Sequence, residues 1–171
     1  MKGNNKAVEN SISQILGIDP GLNFTGWSYI KIDKSSIILM NCGIIKPNNK
    51  LNISDRLVTI YEELKLIIST VQPGAVAIEE TFINKDPQSA LKLGYARGIV
   101  LMVPSLFKIP VFEYSPNTIK KTVAGNGHAS KEQMRAMINL VLPKTKQLAL
   151  KEDEIDAIAI ALCHAYHQRS Y

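Results

Sequence analysis

Four acidic residues are the side chains whose types and positions could do chemistry. Asp19 and Glu79 each end an apolar run, QILGID and AVAIE, while Asp153 and Asp156 lie three residues apart in a late apolar segment. Carboxylates at the ends of apolar strands and on one side of a helix can converge in an α/β fold. Carboxylates brought together raise one another's pKa, and a divalent cation relieves that repulsion. Oxygen ligands favour Mg²⁺ or Mn²⁺ over Zn²⁺, so the pattern predicts metal-dependent phosphodiester chemistry.

Each acid also has an ordinary interpretation when it is taken alone. Asp-Pro-Gly is a common turn, a glutamate can end a strand in solvent, and acids in the first turn of a helix complement its dipole. The segment that carries Asp153 and Asp156 is apolar nearly all round at helical spacing. Its two aspartates are therefore expected to face protein or a site instead of bulk water.

The elements that must position these acids follow from periodicity and capping. Asn52 or Ser54 could cap a helix that Pro73-Gly74 stops, Asp86-Pro87 opens another, and Ser130 with Gln133 forms a capping box. The sequence predicts strands at 14–19, 26–33 and 35–46 joined as hairpins, a helix reaching residue 71, a strand at 75–79, a helix at 87–107, a strand at 109–114, and helices at 115–125, 131–142 and 152–167.

This order of elements predicts an α/β domain with a five-stranded mixed sheet flanked by helices. The near-continuous apolar strand at 75–79 is typical of a parallel strand covered on both faces. Residues 14–171 are expected to form a single domain after a flexible extension at 1–13. The extension is polar and lacks the apolar core of a secretory signal, and no apolar run is long enough for a membrane span, so a cytoplasmic protein is expected.

The charge balance favours a polyanionic partner. The net charge is +5 even though four acids are assigned to one site, so the remaining surface must be basic, as in proteins that bind nucleic acid. Cys42 and Cys163 stand far apart without ligand spacing, which supports neither a disulfide framework nor a zinc site. Both are expected to be buried.

Two other pairs of residues have competing interpretations. Gly94 and Gly98 lie four apart in the predicted 87–107 helix, where close packing against another helix is preferred and a symmetric dimer contact is the alternative. His164 and His167 could form a metal pair or supply a general base, but surface positions are preferred because no carboxylate is near them in sequence. His128 lies in a glycine-rich loop and has no assigned role.

Four blocks of sequence together resemble the RuvC family of Holliday-junction resolvases. They are ILGIDPGLNFTGW, VAIEETFINKDPQSALKLGYARG, VFEYSPNTIKKTVAGNGHASKEQM and DEIDAIAIALCHA, which occur in order between about Gln14 and His167. The resemblance implies a ribonuclease-H-like fold and a homodimer that makes symmetric paired nicks in four-way DNA junctions. It also implies a role in homologous recombination and DNA repair, magnesium as cofactor, and a branch-migration helicase complex as partner.

The resemblance also assigns roles to individual residues. Phe82 matches an aromatic residue that contacts junction bases, and Lys120 and Lys131 match basic residues that handle DNA near the cleaved phosphate. The catalytic metal ligands are Asp19, Glu79, Asp153 and Asp156. Glu80 follows Glu79 where some members carry Gln; because strand residues alternate between faces, only one of the two can be a ligand, and the motif favours Glu79.

The expected chemistry is phosphodiester hydrolysis assisted by two metal ions, with Mn²⁺ able to replace Mg²⁺, which leaves a 5′ phosphate and a 3′ hydroxyl. Two alternatives stay open: a non-catalytic junction-binding protein, which would be expected to lack one of the acids, and another ribonuclease-H-like nuclease acting on RNA or RNA:DNA hybrids. Asp19-Pro-Gly21 with Thr25-Gly26 also resembles the first phosphate loop of actin-like ATPases. Those proteins need two such domains, and 171 residues supply one.

Overall fold

The structure is a computed structural model that describes residues 14–80 and 86–169. Five strands form one mixed sheet in the order β3-β2-β1-β4-β5. β2 is antiparallel to both β1 and β3, whereas β4 is parallel to both β1 and β5. The α/β class and the mixed five-stranded sheet flanked by helices are thereby confirmed. The strands are β1 (Gln14–Asp19), β2 (Thr25–Asp33), β3 (Ser36–Ile45), β4 (Ala75–Glu79) and β5 (Val111–Tyr114).

Helices cover both faces of this sheet. α1 and α2 pack on one face, and α3, α4 and α5 pack on the other. A 3₁₀ helix at Pro143–Gln147, which the sequence did not predict, precedes α5. The helices are α1 (Ile53–Val71), α2 (Pro87–Leu106), α3 (Pro116–Ala124), α4 (Lys131–Val141) and α5 (Glu152–Arg169).

Alternation along β1 divides the core into two layers. Leu16 and Ile18 pack with α1 and α2, whereas Ile15 belongs to the cluster formed with α3, α4 and α5. All three are fully buried. A strand buried on both faces needs apolar residues at every position, which is why QILGID has no polar residue between its ends.

The caps expected from the sequence are present at two helices. The Asp86 carboxylate accepts hydrogen bonds from the backbone N–H groups of Gln88 and Ser89 at the start of α2. Ser130 and Gln133 form the reciprocal capping box of α4. Asn52 is the N-cap residue of α1, although its side chain makes no capping hydrogen bond.

The predicted close packing of Gly94 and Gly98 is wrong. Both glycines are exposed, and a Cβ added to either would meet no heavy atom within 4 Å among the described residues. Leu91 is 57% exposed and Leu106 is 63% exposed on the same helix. α2 therefore leaves apolar surface and open glycines uncovered by the described chain.

His164 is also placed differently from the prediction. It is 2% exposed, and its Nδ1 hydrogen-bonds with the Tyr114 hydroxyl at 2.7 Å. Burial, with His167 nearby, lowers the pKa of His164 to about 4, so the ring is neutral. The surface prediction fails because the end of α5 packs against β5. His167 is half-buried, and His128 is exposed.

Both cysteines are free thiols; Cys163 is buried and Cys42 is half-buried. Across the described ranges, no helix combines the length and apolar character that crossing a membrane requires. The extension at 1–13 lies outside the described residues.

Candidate active site

The sheet places two of the four acids at one edge. Asp19 is the last residue of β1 and Glu79 is the last residue of β4. These strands are parallel neighbours, with Ile18 paired to Ile78, so their carboxyl ends lie side by side. Ligands collect at this edge of an open α/β sheet.

Close packing of α5 on the sheet brings the other two acids to the same place. A Cβ on Gly26 would lie 2.0 Å from the Asp153 carbonyl oxygen, and a Cβ on Gly17 would lie 2.3 Å from the Ala157 carbonyl oxygen. The Ser28 hydroxyl donates a 2.9 Å hydrogen bond to the same Ala157 oxygen. Only glycine permits backbone approach at these distances. Gly17 and Gly26 therefore allow the first turns of α5 to reach the end of β1.

The electrostatics show that the four acids form one group. Burial raises the pKa of Asp19 to about 8, and the charges of Glu79, Asp156 and Asp153 add to the rise. Burial and the charge of Asp156 raise the pKa of Glu79 to about 7, while Lys120 opposes the rise. Burial raises the pKa of Asp156 as well. Like charges crowded in a partly desolvated place produce upward shifts of this kind.

Two lysines lie beside the acids. Lys120 projects from α3 and is half-buried, and its charge acts on both Glu79 and Asp156. Lys131 is the first residue of α4, and its ammonium group forms an exposed ion pair with Glu152. That pair raises the pKa of Lys131. Phe82, the third residue expected to contact DNA, lies outside the described residues.

The donor set fits a hard divalent cation. All four side chains offer carboxylate oxygens, and the raised pKa values of Asp19, Glu79 and Asp156 reflect burial first and then repulsion between the acids, which a cation would relieve. Within 14–80 and 86–169, no three acidic, histidine or cysteine side chains are already grouped closely enough to hold an ion. The carboxylates therefore interact electrostatically, but their oxygens do not already surround a metal-binding position.

Several residues that support the site carried no recognisable pattern in the sequence. Arg56 of α1 is buried, and its guanidinium donates to the Leu22 carbonyl at 2.9 Å and to the Asn23 side-chain oxygen at 2.7 Å. The Thr25 hydroxyl donates to the Gly21 carbonyl at 2.7 Å. These bonds fix the loop that follows Asp19. In the sequence, this loop was marked by the Asp-Pro-Gly turn and by Thr25-Gly26, but neither showed the contact with Arg56.

A cavity of about 550 Å³ opens directly beside the acids, between α3, α4 and α5. We refer to it as the side cleft. Glu79, Asp156, Lys120 and Lys131 are among its lining residues. The candidate site therefore comprises the group of carboxylates and an adjoining cleft that shares two of those acids and includes basic residues in its lining.

Comparison with known proteins gives a consistent result. The family model described as "Crossover junction endodeoxyribonuclease RuvC" matches residues 15–164. A protein of that name from Methylobacterium radiotolerans is 47% identical over 92% of this chain and 75% of its own length. Its counterpart from Bradyrhizobium diazoefficiens is 45% identical over 92% of this chain and 89% of its own length.

Solved structures agree with the sequence relatives. The chain is similar to Thermus thermophilus RuvC in complex with a Holliday junction substrate, with a TM-score of 0.86 and 30% identity over 92% of this chain and 96% of that chain. The yeast mitochondrial Holliday junction resolvase Ydc2 shares the fold, with a TM-score of 0.70 and 16% identity over 96% of this chain and 83% of that chain.

Proposed function

The chain belongs to the RuvC family of crossover junction endodeoxyribonucleases, and from that premise we propose that it resolves four-way DNA junctions by magnesium-dependent hydrolysis of the phosphodiester backbone. The single observation that carries this proposal is the group formed by Asp19, Glu79, Asp153 and Asp156 at one sheet edge, where burial and the charges of neighbouring acids raise the pKa values of Asp19 and Glu79. A protein that binds junctions without cutting them does not need a group of partly buried carboxylates that repel one another.

The carboxylates are the proposed ligands of two Mg²⁺ ions, which Mn²⁺ can replace. Bound there, the metal supplies Lewis acidity that activates water and stabilises the leaving 3′ oxygen. Asp19 and Glu79 have pKa values raised to about 8 and about 7, so both must release bound protons as the cations enter. Asp19 ends β1 between Glu79 and the first turns of α5, and it would be a ligand of the bound metal.

In this proposal, Lys120 and Lys131 interact with the DNA phosphate and not with the metal. Lys120 lies close enough to act on the charges of Glu79 and Asp156, and so a phosphate held at the acids lies within its field. Lys131 pairs with Glu152 in the free protein. We expect it to exchange this exposed partner for the scissile phosphate, because an exposed ion pair contributes only about 0–1 kcal/mol. Phe82 is proposed to stack on an unpaired junction base.

The proposal includes a homodimer formed through α2. Leu91, Tyr95, Met102 and Leu106 are exposed apolar residues of this helix, and Gly94 and Gly98 permit close approach of a second backbone. A two-fold dimer matches the two-fold symmetry of a junction and places one site at each of two strands. Nicks would then fall in pairs.

The cellular setting is part of the same proposal. The enzyme would act in homologous recombination and DNA repair together with a branch-migration helicase complex. A cytoplasmic location is consistent with the two free thiols, since disulfides are rare in reducing compartments. Fractionation and co-purification from the native host would test both expectations.

A cleavage assay on defined DNA tests the central proposal. The substrates are a synthetic mobile four-way junction, a linear duplex and an RNA:DNA hybrid, each with Mg²⁺ and with EDTA. We expect paired nicks in the junction with Mg²⁺, none with EDTA, and none in either case for Asp19→Asn, which should still bind the junction. Glu80→Gln is the matched control, because it removes the neighbouring carboxylate and should keep cleavage.

Two outcomes would contradict the proposal. Tight junction binding with no nicks in Mg²⁺ or Mn²⁺ would make the chain a junction-binding protein. Preferential cutting of the hybrid would make it a ribonuclease-H-like enzyme acting on RNA.

A further inference from the structure

Arg97 of α2 connects three elements at the sheet edge that carries the acids. Its Nη1 donates a 2.8 Å hydrogen bond to the backbone carbonyl of Glu79, and its Nη2 forms an ion pair with the Glu113 carboxylate of β5. The Arg97 side chain is 19% exposed. This partly buried guanidinium contacts the main chain of a proposed metal ligand, and the hydrolysis described above gives it no role.

The hydrogen bond to Glu79 falls where β4 loses its pairing with β1. The ladder between these two strands ends one residue before Glu79. On the other side, the Glu80 backbone N–H donates a 2.8 Å hydrogen bond to the Tyr114 carbonyl. The Glu79 carbonyl and the Glu80 N–H belong to the same planar peptide group. Arg97 and Tyr114 therefore bind both polar groups of the peptide that follows Glu79.

Holding this peptide restricts the direction of the Glu79 side chain. Because the plane of the peptide is bonded at both polar groups, the backbone dihedral ψ of Glu79 has little freedom, and its Cα–Cβ bond starts from a defined direction. Arginine suits this role since its donors form a rigid planar fork, and hydrogen bonds from charged donors are about twice as strong as neutral ones. The main chain beneath this carboxylate is thus held from α2.

Arg97 acts on the main chain of Glu79 and not on its carboxylate charge. Burial and the charge of Asp156 raise the pKa of Glu79, and Lys120 lowers it. Arg97 does not contribute to that shift, and its own charge is balanced by Glu113. Lys120 lines the side cleft, whereas α2 packs on the opposite face of the sheet. Arg97 therefore differs from this lysine both in position and in effect.

We propose that Arg97 is a positioning residue that holds the Glu79 carboxylate in the direction needed to bind the catalytic metal ion. This inference rests on the proposed function and adds a residue of α2 to the groups that support it. Among the described residues, the acids do not already surround a metal-binding position. A ligand whose main chain is fixed beforehand needs less ordering when the ion binds. Substituting a group that orients a metal ligand typically weakens metal affinity about 10–100-fold.

Mn²⁺ binding to the DNA-free protein tests this role without requiring cleavage. Free Mn²⁺ gives an electron paramagnetic resonance signal that is lost on binding, so a titration yields the affinity. Arg97→Lys keeps the charge, but a single ammonium group cannot reproduce the fork that reaches both Glu113 and the Glu79 carbonyl. We expect it to weaken Mn²⁺ binding about 10-fold while the protein stays folded by circular dichroism. Arg97→Gln, which also removes the charge, should lose at least as much affinity.

The matched control is Lys65→Gln on α1. Lys65 forms an exposed ion pair with Glu62 at 3.8 Å, so this variant also breaks a pair between a helix cation and a glutamate. It leaves the contacts of Glu79 unchanged and should bind Mn²⁺ as the wild type does. In junction cleavage, Arg97→Lys should raise the Mg²⁺ concentration that gives the half-maximal rate about 10-fold, whereas Lys65→Gln should not. Junction binding in EDTA should be the same for both variants.

A double-mutant cycle shows whether Arg97 acts through Glu79. Glu79→Gln alone should weaken Mn²⁺ binding, because it removes a charged ligand. Arg97→Lys added to Glu79→Gln should cause no further loss, since the carboxylate that Arg97 positions is then absent. A residue with a merely structural role would weaken binding by the same factor in both backgrounds.

The outcomes separate this inference from the function on which it rests. If Glu79→Gln abolishes junction cleavage but Arg97→Lys binds Mn²⁺ as the wild type does, the positioning role is overturned and the resolvase function stands. The same conclusion follows if Arg97→Lys loses equal affinity with and without Glu79→Gln. If the wild type leaves every junction uncut in Mg²⁺ and Mn²⁺, the proposed function is overturned together with the role of Arg97 in it.

Discussion

α5 and α2 are both apolar on nearly every side, yet α5 is buried and α2 is partly exposed. α5 is enclosed by the sheet, α3 and α4, and its residues from Ala157 to Ala165 are all buried. α2 packs on α1 along one side and exposes Leu91 and Leu106 along another. A helix that is apolar all round needs cover all round. α5 obtains that cover within the chain and carries two of the acids, whereas α2 leaves apolar surface uncovered by the described chain. The proposed chemistry and the proposed dimer contact therefore fall on different helices.

The largest effect should come from removing one acid of α5. Asp156→Asn is expected to lower the single-turnover rate of junction cleavage at least about 100-fold, comparable to losing one preorganised electrostatic group. It should leave the dimer intact, because α2 is untouched. Sedimentation and cleavage measured on the same sample test this separation. Asp33→Asn, at the exposed end of β2, is the control. If Asp156→Asn loses both cleavage activity and the dimer, the predicted separation of the two is contradicted.

An alanine substitution should affect stability very differently at a glycine that contacts α5 and at a glycine of α2. Gly17→Ala places a Cβ 2.3 Å from the Ala157 carbonyl oxygen, and we expect it to lower the free energy of unfolding by about 3 kcal/mol, as in severe overpacking. Gly98→Ala meets open space among the described residues and should raise the intrinsic stability of the helix by up to about 1 kcal/mol. Urea titration of both variants, at protein concentrations low enough to keep the chain monomeric, measures the difference. Equal destabilisation would show that Gly98 is as closely packed as Gly17.

A charge placed on α2 should break assembly without unfolding the protein. Leu91→Lys is expected to weaken self-association by at least about 30-fold, as for an interface residue worth 2 kcal/mol, and to convert paired nicks into single ones. Its effect on the free energy of unfolding should stay within about 0.5 kcal/mol, as for other surface changes.

Leu66→Lys on α1 is the matched control for this prediction, since Leu66 is 67% exposed. Sedimentation velocity over a dilution series distinguishes the two variants. If both associate as the wild type does, α2 is not the dimer surface.

The last prediction concerns the dependence of stability on pH in EDTA. The pKa of Asp19 is raised from 3.8 to about 8 in the folded state, so the folded protein retains a proton that the unfolded chain releases. Stability should therefore fall as pH rises from about 4 to about 8, since the unfolded state binds fewer protons across that window. Asp19→Asn should flatten this dependence and raise the melting temperature at pH 8 by a few degrees. A wild-type curve that rises over this range would contradict the shift.

Local features of the fold could be predicted from the sequence because they depend on neighbouring residues. The period of two in β1, the Asp86 cap and the Ser130 capping box each involve residues within a few positions of one another. The convergence of the acids at the sheet edge was also predictable, because Asp19 and Glu79 end apolar strands.

Contacts between distant segments could not be predicted in the same way. The bond from Ser28 to the Ala157 carbonyl spans 129 residues, and nothing near either residue marks it. His164 was misplaced because the neighbour that buries it belongs to β5. Gly94 and Gly98 were misplaced because the spacing of small residues shows that close approach is possible without showing which surface makes it.

The position of α5 in the chain also bears on when the enzyme can become active during its synthesis. Every described strand precedes α5, and half of the acids arrive with it. Domains generally fold as units as the ribosome delivers them. A nascent chain that ends before residue 152 contains every described strand but has no Asp153 or Asp156. If these aspartates bind the metal as proposed, nuclease activity is withheld until α5 has been made and has docked against Gly17 and Gly26, so an interrupted translation product cannot cut the genome.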